Sequence, residues 1–196
     1  RFIALNDGVD STKPNETNSI FLPIKSLMDE MYAADTSKKI RAVVQSKARA
    51  GERVTVNPPY GYLKTPNNPK NWIVDPVASE VVKRIFQEAK SGKSLSEISK
   101  GLKNDKIFKP DRHRIEIGLK PISSSPNVET LPYFWTRETL SAILGREEYL
   151  GHTVNLRTRT KSYKDKRKVD NPKEDWLIFK NTHEAIIDQE TFDIVR

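Results

Sequence analysis

Apolar positions along this chain alternate between groups at helical spacing and short strand-like runs, with polar, proline-rich stretches between them. Phe2-Ile3-Ala4-Leu5 reads as a short buried strand ending in the turn signal Asn6-Asp7-Gly8. Residues 10 to 18 are polar and contain Pro14, which predicts a loop. The longest predicted helix runs from Ser19 to about Ala50. Ile24, Leu27, Met28, Met31 and Tyr32 recur at helical spacing and make one apolar stripe. The stripe then fades, leaving Ile40, Val43 and Val44 among Lys38, Lys39, Arg41, Lys47 and Arg49. The first half of the helix is patterned to pack on protein and the second to lie beside phosphates. Gly51 is the expected stop.

Val54 to Tyr62 (VTVNPPYGY) cannot be helical, because its two prolines remove donors and fix φ. It predicts an extended connector and a tight turn at Gly61. Asp75-Pro76 opens the next helix, aspartate as N-cap and proline at the first helical position. Val77, Val81, Val82, Ile85, Phe86 and Ala89 form its apolar face, and Gly92 ends it. Ser94-Leu95-Ser96-Glu97 is a capping box for a shorter helix that buries Leu95, Ile98 and Leu102. Residues 105 to 133 are rich in proline, serine and basic groups and predict a long loop.

A third helix in this region, over 136 to 146, is capped by Thr136 and stapled by Trp135 on Leu140. Leu140, Ile143 and Leu144 face inward, so Arg137, Glu138, Ser141 and Arg146 face outward. Thr153-Val154-Asn155-Leu156 and Trp176-Leu177-Ile178-Phe179 read as two strands. The basic crest between them carries Arg157, Arg159, Lys161, Lys164, Lys166, Arg167 and Lys168 against the lone acid Asp165, with Tyr163 inside it. A last helix begins at Asp188.

Charge turns this pattern toward a polyanionic partner. Lysine and arginine total 34 against 26 acids, a net charge of +8, which suits counterion release from nucleic acid. Charged residues make up 31% of the 196 positions, and no run approaches the ~18 apolar residues of a spanning helix. There is no cysteine, so disulfides and thiolate zinc sites are excluded within these residues. His113, His152 and His183 lack metal-ligand spacing. The strand-like opening at Arg1 is read as a piece of a longer polypeptide, not a leader.

Several of these segments occur in one order. Tyr32-Ala33-Ala34-Asp35-Thr36-Ser37-Lys38-Lys39-Ile40-Arg41 resembles the start of the long linking helix of large serine recombinases. Pro58-Pro59-Tyr60-Gly61-Tyr62 and Trp72-Ile73-Val74-Asp75-Pro76 resemble the opening of their recombinase domain. Val81-Val82-Lys83-Arg84-Ile85-Phe86, Ile98-Ser99-Lys100-Gly101-Leu102, Trp135-Thr136, and Ile143 through Gly151 (ILGREEYLG) continue the resemblance. His183-Glu184-Ala185-Ile186-Ile187-Asp188 resembles the segment leading into the family's zinc ribbon. The subgroup looks like that of mobile-element recombinases in Gram-positive bacteria, such as conjugative-transposon excision enzymes.

The resemblance implies a mainly helical α+β fold. A long linking helix precedes a helix-turn-helix or winged-helix-like DNA-binding domain with a basic β-hairpin. It divides the chain into the last strand and loop of a catalytic domain (1–18), the linking helix (19–51), an extended connector (52–63) and the recombinase DNA-binding domain (64–196). It implies a bacterial cytoplasmic enzyme that integrates or excises a mobile element through a phosphoserine–DNA intermediate, and self-association through the linking helix. The nucleophilic serine and the zinc ligands are expected outside these residues, so no cofactor and no independent cleavage are expected within them.

The site assignments follow. Arg41 stands where the family's linking helix carries an arginine facing the active site; it holds either the scissile phosphate or an ordinary backbone phosphate. The helix over 136 to 146 is expected in the major groove. There Arg137 pairs with guanine and Glu138 accepts from cytosine, while Thr139 and Ser141 meet phosphate or a thymine methyl. Thr136 and Arg146 flank it. Arg53 in the connector is expected to follow the minor groove. Lys38, Lys39, Lys47, Arg49, loop residues Arg112, His113 and Arg114, and the crest cations are expected near DNA. About thirty residues separate the helix of 94–104 from that of 136–146, where a compact helix-turn-helix has a turn of about 3–4. Either the intervening loop is an insertion or the two helices are not the pair. Two other classes fit the same residues: a helix-turn-helix transcriptional regulator, and an RNA-binding module.

Overall fold

The computed structural model describes residues 3–4, 9–10, 12, 21–122 and 127–196. In chain order the elements are β1 (Ile3–Ala4), β2 (Val9–Asp10), α1 (Phe21–Arg49), β3 (Tyr62–Thr65), β4 (Asn68–Val74), α2 (Pro76–Lys90), α3 (Leu95–Asn104), α4 (Pro110–Glu116), α5 (Arg137–Leu144), β5 (Thr153–Asn155), β6 (Thr158–Thr160), β7 (Lys168–Asp170), β8 (Leu177–Phe179) and α6 (Gln189–Val195). The α+β class holds. The strands pair antiparallel as β1–β2, β3–β4, β5–β8 and β6–β7. The chain divides into two compact units, one of Arg1–Ser46 with Thr158–Asp170, the other of Lys47–Arg157 with Asn171–Arg196.

In the first unit, the expected strand near the start is seen at Ile3–Ala4, paired with Val9–Asp10. Most of the loop expected after it, and the helix start at Ser19, lie outside the described residues. The predicted long helix is α1. Its stripe is open to solvent: Ile24 is 50% exposed, Met28 and Met31 are 64%, and Tyr32 is 76%. Among the described residues only the β6–β7 hairpin comes near it, beside Tyr32. The basic crest, expected between the two strands of one basic β-hairpin, folds into a hairpin of its own, β6–β7, with Thr158 opposite Asp170 and Thr160 opposite Lys168. Such a ribbon is solvated on both faces and has no apolar alternation for pattern reading to find.

The second unit holds a buried core of Val82, Ile85 and Phe86 from α2, Ile98 and Leu102 from α3, Leu140 and Ile143 from α5, and Phe192 from α6. Trp135, Tyr149, Tyr62 and Trp72 complete it. The caps read from sequence are present. Asp75 accepts from the N–H groups of Val77 and Ala78, Ser94 and Glu97 form the capping box, and Asp188 accepts from Thr191. Val77, expected inward, is 65% exposed; it sits in the first turn, before α2 reaches its neighbours.

Two elements were not anticipated. β3 and β4 form a hairpin between the expected connector and the helix opened by Asp75, where no element was predicted, with Tyr62 opposite Val74 and Lys64 opposite Trp72. Only Tyr62, Trp72 and the partly buried Val74 turn inward, too few for a sustained alternating signal. Gly61 precedes it at φ +99, and a Cβ there would meet Ile186 and Val82 at 3.0–3.1 Å, so glycine is required. The long loop over 105 to 133 contains α4, a correction whose cause is tertiary. α4 has only seven residues, short of the ~12–15 an isolated helix needs. It is held by its buried His113, whose Nε2 lies 2.7 Å from Asp75 Oδ2.

The strands expected at each side of the crest are β5 and β8, with Val154 opposite Ile178. Asn155, fully buried, donates its amide to the carbonyls of Ala48 (3.3 Å) and Glu52 (2.8 Å). It accepts from the Val54 N–H at 3.3 Å. That amide fixes the end of α1 and the start of the connector to β5.

Candidate nucleic-acid interface

α5 begins where Thr136 Oγ1 accepts from the Thr139 N–H at 3.2 Å. The helix is eight residues long and is anchored at its start by two hydrogen bonds. Ser99 Oγ on α3 donates to the Trp135 carbonyl at 2.6 Å, and the Trp135 indole donates to the Ile107 carbonyl at 3.0 Å. Leu140 and Ile143 are buried beneath it. α3 and α5 therefore pack directly on each other, with α4 in the segment between them.

Arg137, Glu138 and Ser141 face solvent as expected. Thr136 and Thr139 are half-buried by capping. Glu138 is held below its usual carboxyl range by its own backbone N–H and by the Thr136 hydroxyl, so it is an anion at the helix start, where the helix dipole favours one. Arg146 lies beyond the end of α5; its Nη1 is 3.4 Å from Glu148 Oε1.

A groove of about 480 Å³ runs between α3 and the start of α5. Lys100 and Lys103 line one side, Phe134, Arg137 and Glu138 the other. Sequence reasoning missed Lys100, Lys103 and Phe134. The two lysines stand three apart on the polar face of the amphipathic α3, a legible signal; Phe134, 48% exposed, carries none.

Other expected contacts are partly taken up by the fold. Arg53 lies 3.6 Å over the Trp72 ring and donates to the Lys70 carbonyl (2.7 Å) and Thr153 Oγ1 (2.9 Å). Its Nη2 is 3.0 Å from His183 Nδ1. Arginine can only donate, so His183 Nδ1 accepts and its Nε2–H donates to the Glu148 carbonyl at 2.9 Å. Burial, then the Arg53 charge, push the His183 pKa down to about 4. Arg112 and Arg114 sit on α4, not in a loop. Arg112 pairs with Glu116 at 3.0 Å, and Arg114 Nε donates to the Lys120 carbonyl at 3.0 Å.

The crest cations divide between the units. In the second unit, Arg157 stacks 5.1 Å from Trp176 and lies 4.0 Å from the buried Glu148 carboxylate. In the first, Arg167 and Lys161 pair with Asp165, and Lys164 pairs with Glu30. Arg159, Lys166 and Lys168 are exposed and have no acidic partner among the described residues. On α1, Lys39 pairs with Asp35 at 2.8 Å. Lys38, Arg41, Lys47 and Arg49 are exposed.

No group of three or more histidine, aspartate or glutamate side chains among the described residues is arranged to hold a metal ion. Among the same residues no helix is long and apolar enough to cross a membrane.

Residues 76–196 match the family model Recombinase. No curated protein matches the chain. A solved structure, the crystal structure of an LSR–DNA complex, aligns with a TM-score of 0.45 at 14% identity, over 80% of this chain. The chain spans 36% of the length of the one it matches there. By the match over residues 76–196, more than half of its length, the chain belongs to the Recombinase family, to which its ordered motifs had pointed.

Proposed function

We propose that this chain binds duplex DNA at the attachment site of a large serine site-specific recombinase, one that integrates or excises a mobile element. The observation that carries the reading is the groove of α3 and α5. It presents Arg137 and Glu138 for base edges beside Lys100 and Lys103 for phosphates, within the matched family domain of a chain whose net charge is +8. α5 enters the major groove. The Arg137 guanidinium donates to guanine O6 and N7, and Ser141 faces the neighbouring pair. Glu138 accepts from cytosine while keeping its place at the helix start. Exposed cations on α1 and the crest add sequence-independent affinity.

In the whole enzyme a serine hydroxyl would attack the DNA phosphate, forming a phosphoserine ester and releasing a deoxyribose 3′ hydroxyl. That hydroxyl later reseals the strand, so the ester conserves the bond and no ATP is needed. The structural zinc of such an enzyme would lie outside these residues.

Titration of the chain with half-sites from its own element at several salt concentrations tests the reading. Arg137→Ala is expected to cost about 1–3 kcal/mol at one base pair and relax specificity there. A uniform loss over all sequences would make Arg137 a phosphate contact and sink its assigned role. Equal affinity for structured RNA in competition would favour an RNA-binding module.

A further inference from the structure

The first unit holds a cavity of about 600 Å³ between α1 and the β6–β7 hairpin. Tyr32, Ile40 and Arg41 line it from the helix, and Ser162, Tyr163 and Lys166 from the hairpin. Three acids near it are already matched. Glu30 accepts from the Tyr163 hydroxyl at 2.8 Å and pairs with Lys164. Asp35 holds Lys39, and Asp165 holds Arg167. Arg41 and Lys166 have no acidic partner among the described residues. One unmatched cation therefore stands on each wall of the same cavity.

The rest of the lining narrows the occupant. A free phosphate needs a tight cradle of directed donors, and this cavity is too wide for one. Its aromatic and aliphatic walls suit deoxyribose, its hydroxyls suit ester oxygens, and its two cations suit a charged phosphodiester. A protein segment with an apolar face would leave both cations buried without partners, which is costly.

We propose that this cavity seats the sugar–phosphate backbone of duplex DNA, with Arg41 and Lys166 gripping one phosphate from the helix and the hairpin. The inference rests on the DNA-binding reading above and deepens it, since it assigns two cations to one contact. Glu30 is the latch. By holding Tyr163 and Lys164 it keeps the hairpin tip on α1, and Lys166 follows two residues later.

The test is titration of labelled duplex DNA with the wild-type chain and with R41Q, K166Q, R41Q/K166Q and Y163F, over a range of salt. Each contacted phosphate contributes about 0.9 to the slope of log K against log salt. The proposal expects R41Q and K166Q each to weaken binding several-fold. The double variant should be little weaker than either single one, with a slope reduced by roughly one contact. Y163F should weaken binding with the slope unchanged, because it loosens the hairpin without removing a charge. Additive losses and a slope lower by two contacts would mean separate phosphates and overturn the shared grip. Wild-type affinity in all variants would overturn the site altogether. If the wild-type chain ignores duplex DNA even at low salt, the DNA-binding reading fails and takes this inference with it. Should R41Q bind normally while Y32S/I40S converts a dimer to a monomer in sedimentation, the cavity seats a second copy instead.

Discussion

The two units are held by different forces. In the second, Trp135, Tyr149, Phe86 and Phe192 are at most 1% exposed, and each helix from α2 to α6 except α4 starts with a side-chain cap. In the first, the apolar stripe of α1 lies in solvent, and the described contacts between helix and hairpin are polar ties to Glu30. The second unit has what a domain needs to fold: a closed apolar core and satisfied helix ends. The first has apolar area still to bury, and its helix and hairpin are set by a few exposed hydrogen bonds of small net worth. One region is a finished scaffold for α5. The other leaves its apolar stripe open.

Substitutions separate the two. The largest effect is expected from Trp135→Ala, which empties the core beneath α5 and strands the Ile107 carbonyl. It should cost about 3–5 kcal/mol in urea unfolding, and a loss under 1 would mean the core is not the source of stability. Next comes Asp75→Ala, which removes two helix-capping bonds and leaves His113 buried without its partner. A loss of about 3 kcal/mol is expected, along with faster hydrogen exchange in α4.

A pH dependence tests the same unit. The unfolded chain protonates His183 near its ordinary 6.5, the folded chain only near 4. Between those values the unfolded state binds more protons, so this contribution to stability is full above pH 6.5 and is lost as pH falls toward 4. The thermal midpoint should decline across that window, and His183→Gln should flatten the decline. Thr136→Ala, removing the α5 cap, is expected to cost about 1 kcal/mol and to raise exchange at the Thr139 amide. Smallest of all, Met28→Ser on α1 should change stability by less than about 0.5 kcal/mol. A large destabilisation there would show the stripe to be buried and would erase the contrast between the units.

The parts legible in sequence were those with local causes. Thr136, Asp75, Ser94 and Asp188 announced their helices, because a cap is a short-range bond between a side chain and the next turn. Arg137, Glu138 and Ser141 were placed outward by the spacing of Leu140 and Ile143. The β3–β4 and β6–β7 hairpins were not legible, since neither alternates apolar and polar residues over its length. Arg53 was read as a groove-following cation from its place in a basic connector, and nothing local marks the Trp72 ring beneath it. Lys100 and Lys103 needed the packing of α3 on α5 before their positions meant anything.

Periodicity, capping chemistry and charge by themselves determined the long helix, the capped helices, the outward face of α5 and the basic balance, because each depends on residues within a turn or two of one another. Tertiary structure alone decided that α4 forms on a buried His113–Asp75 pair, that Arg53 is absorbed into the fold, and that Arg41 and Lys166 share one cavity. Those outcomes join residues 38, 130 and 125 positions apart in the chain, and no local pattern encodes a contact that only chain closure creates.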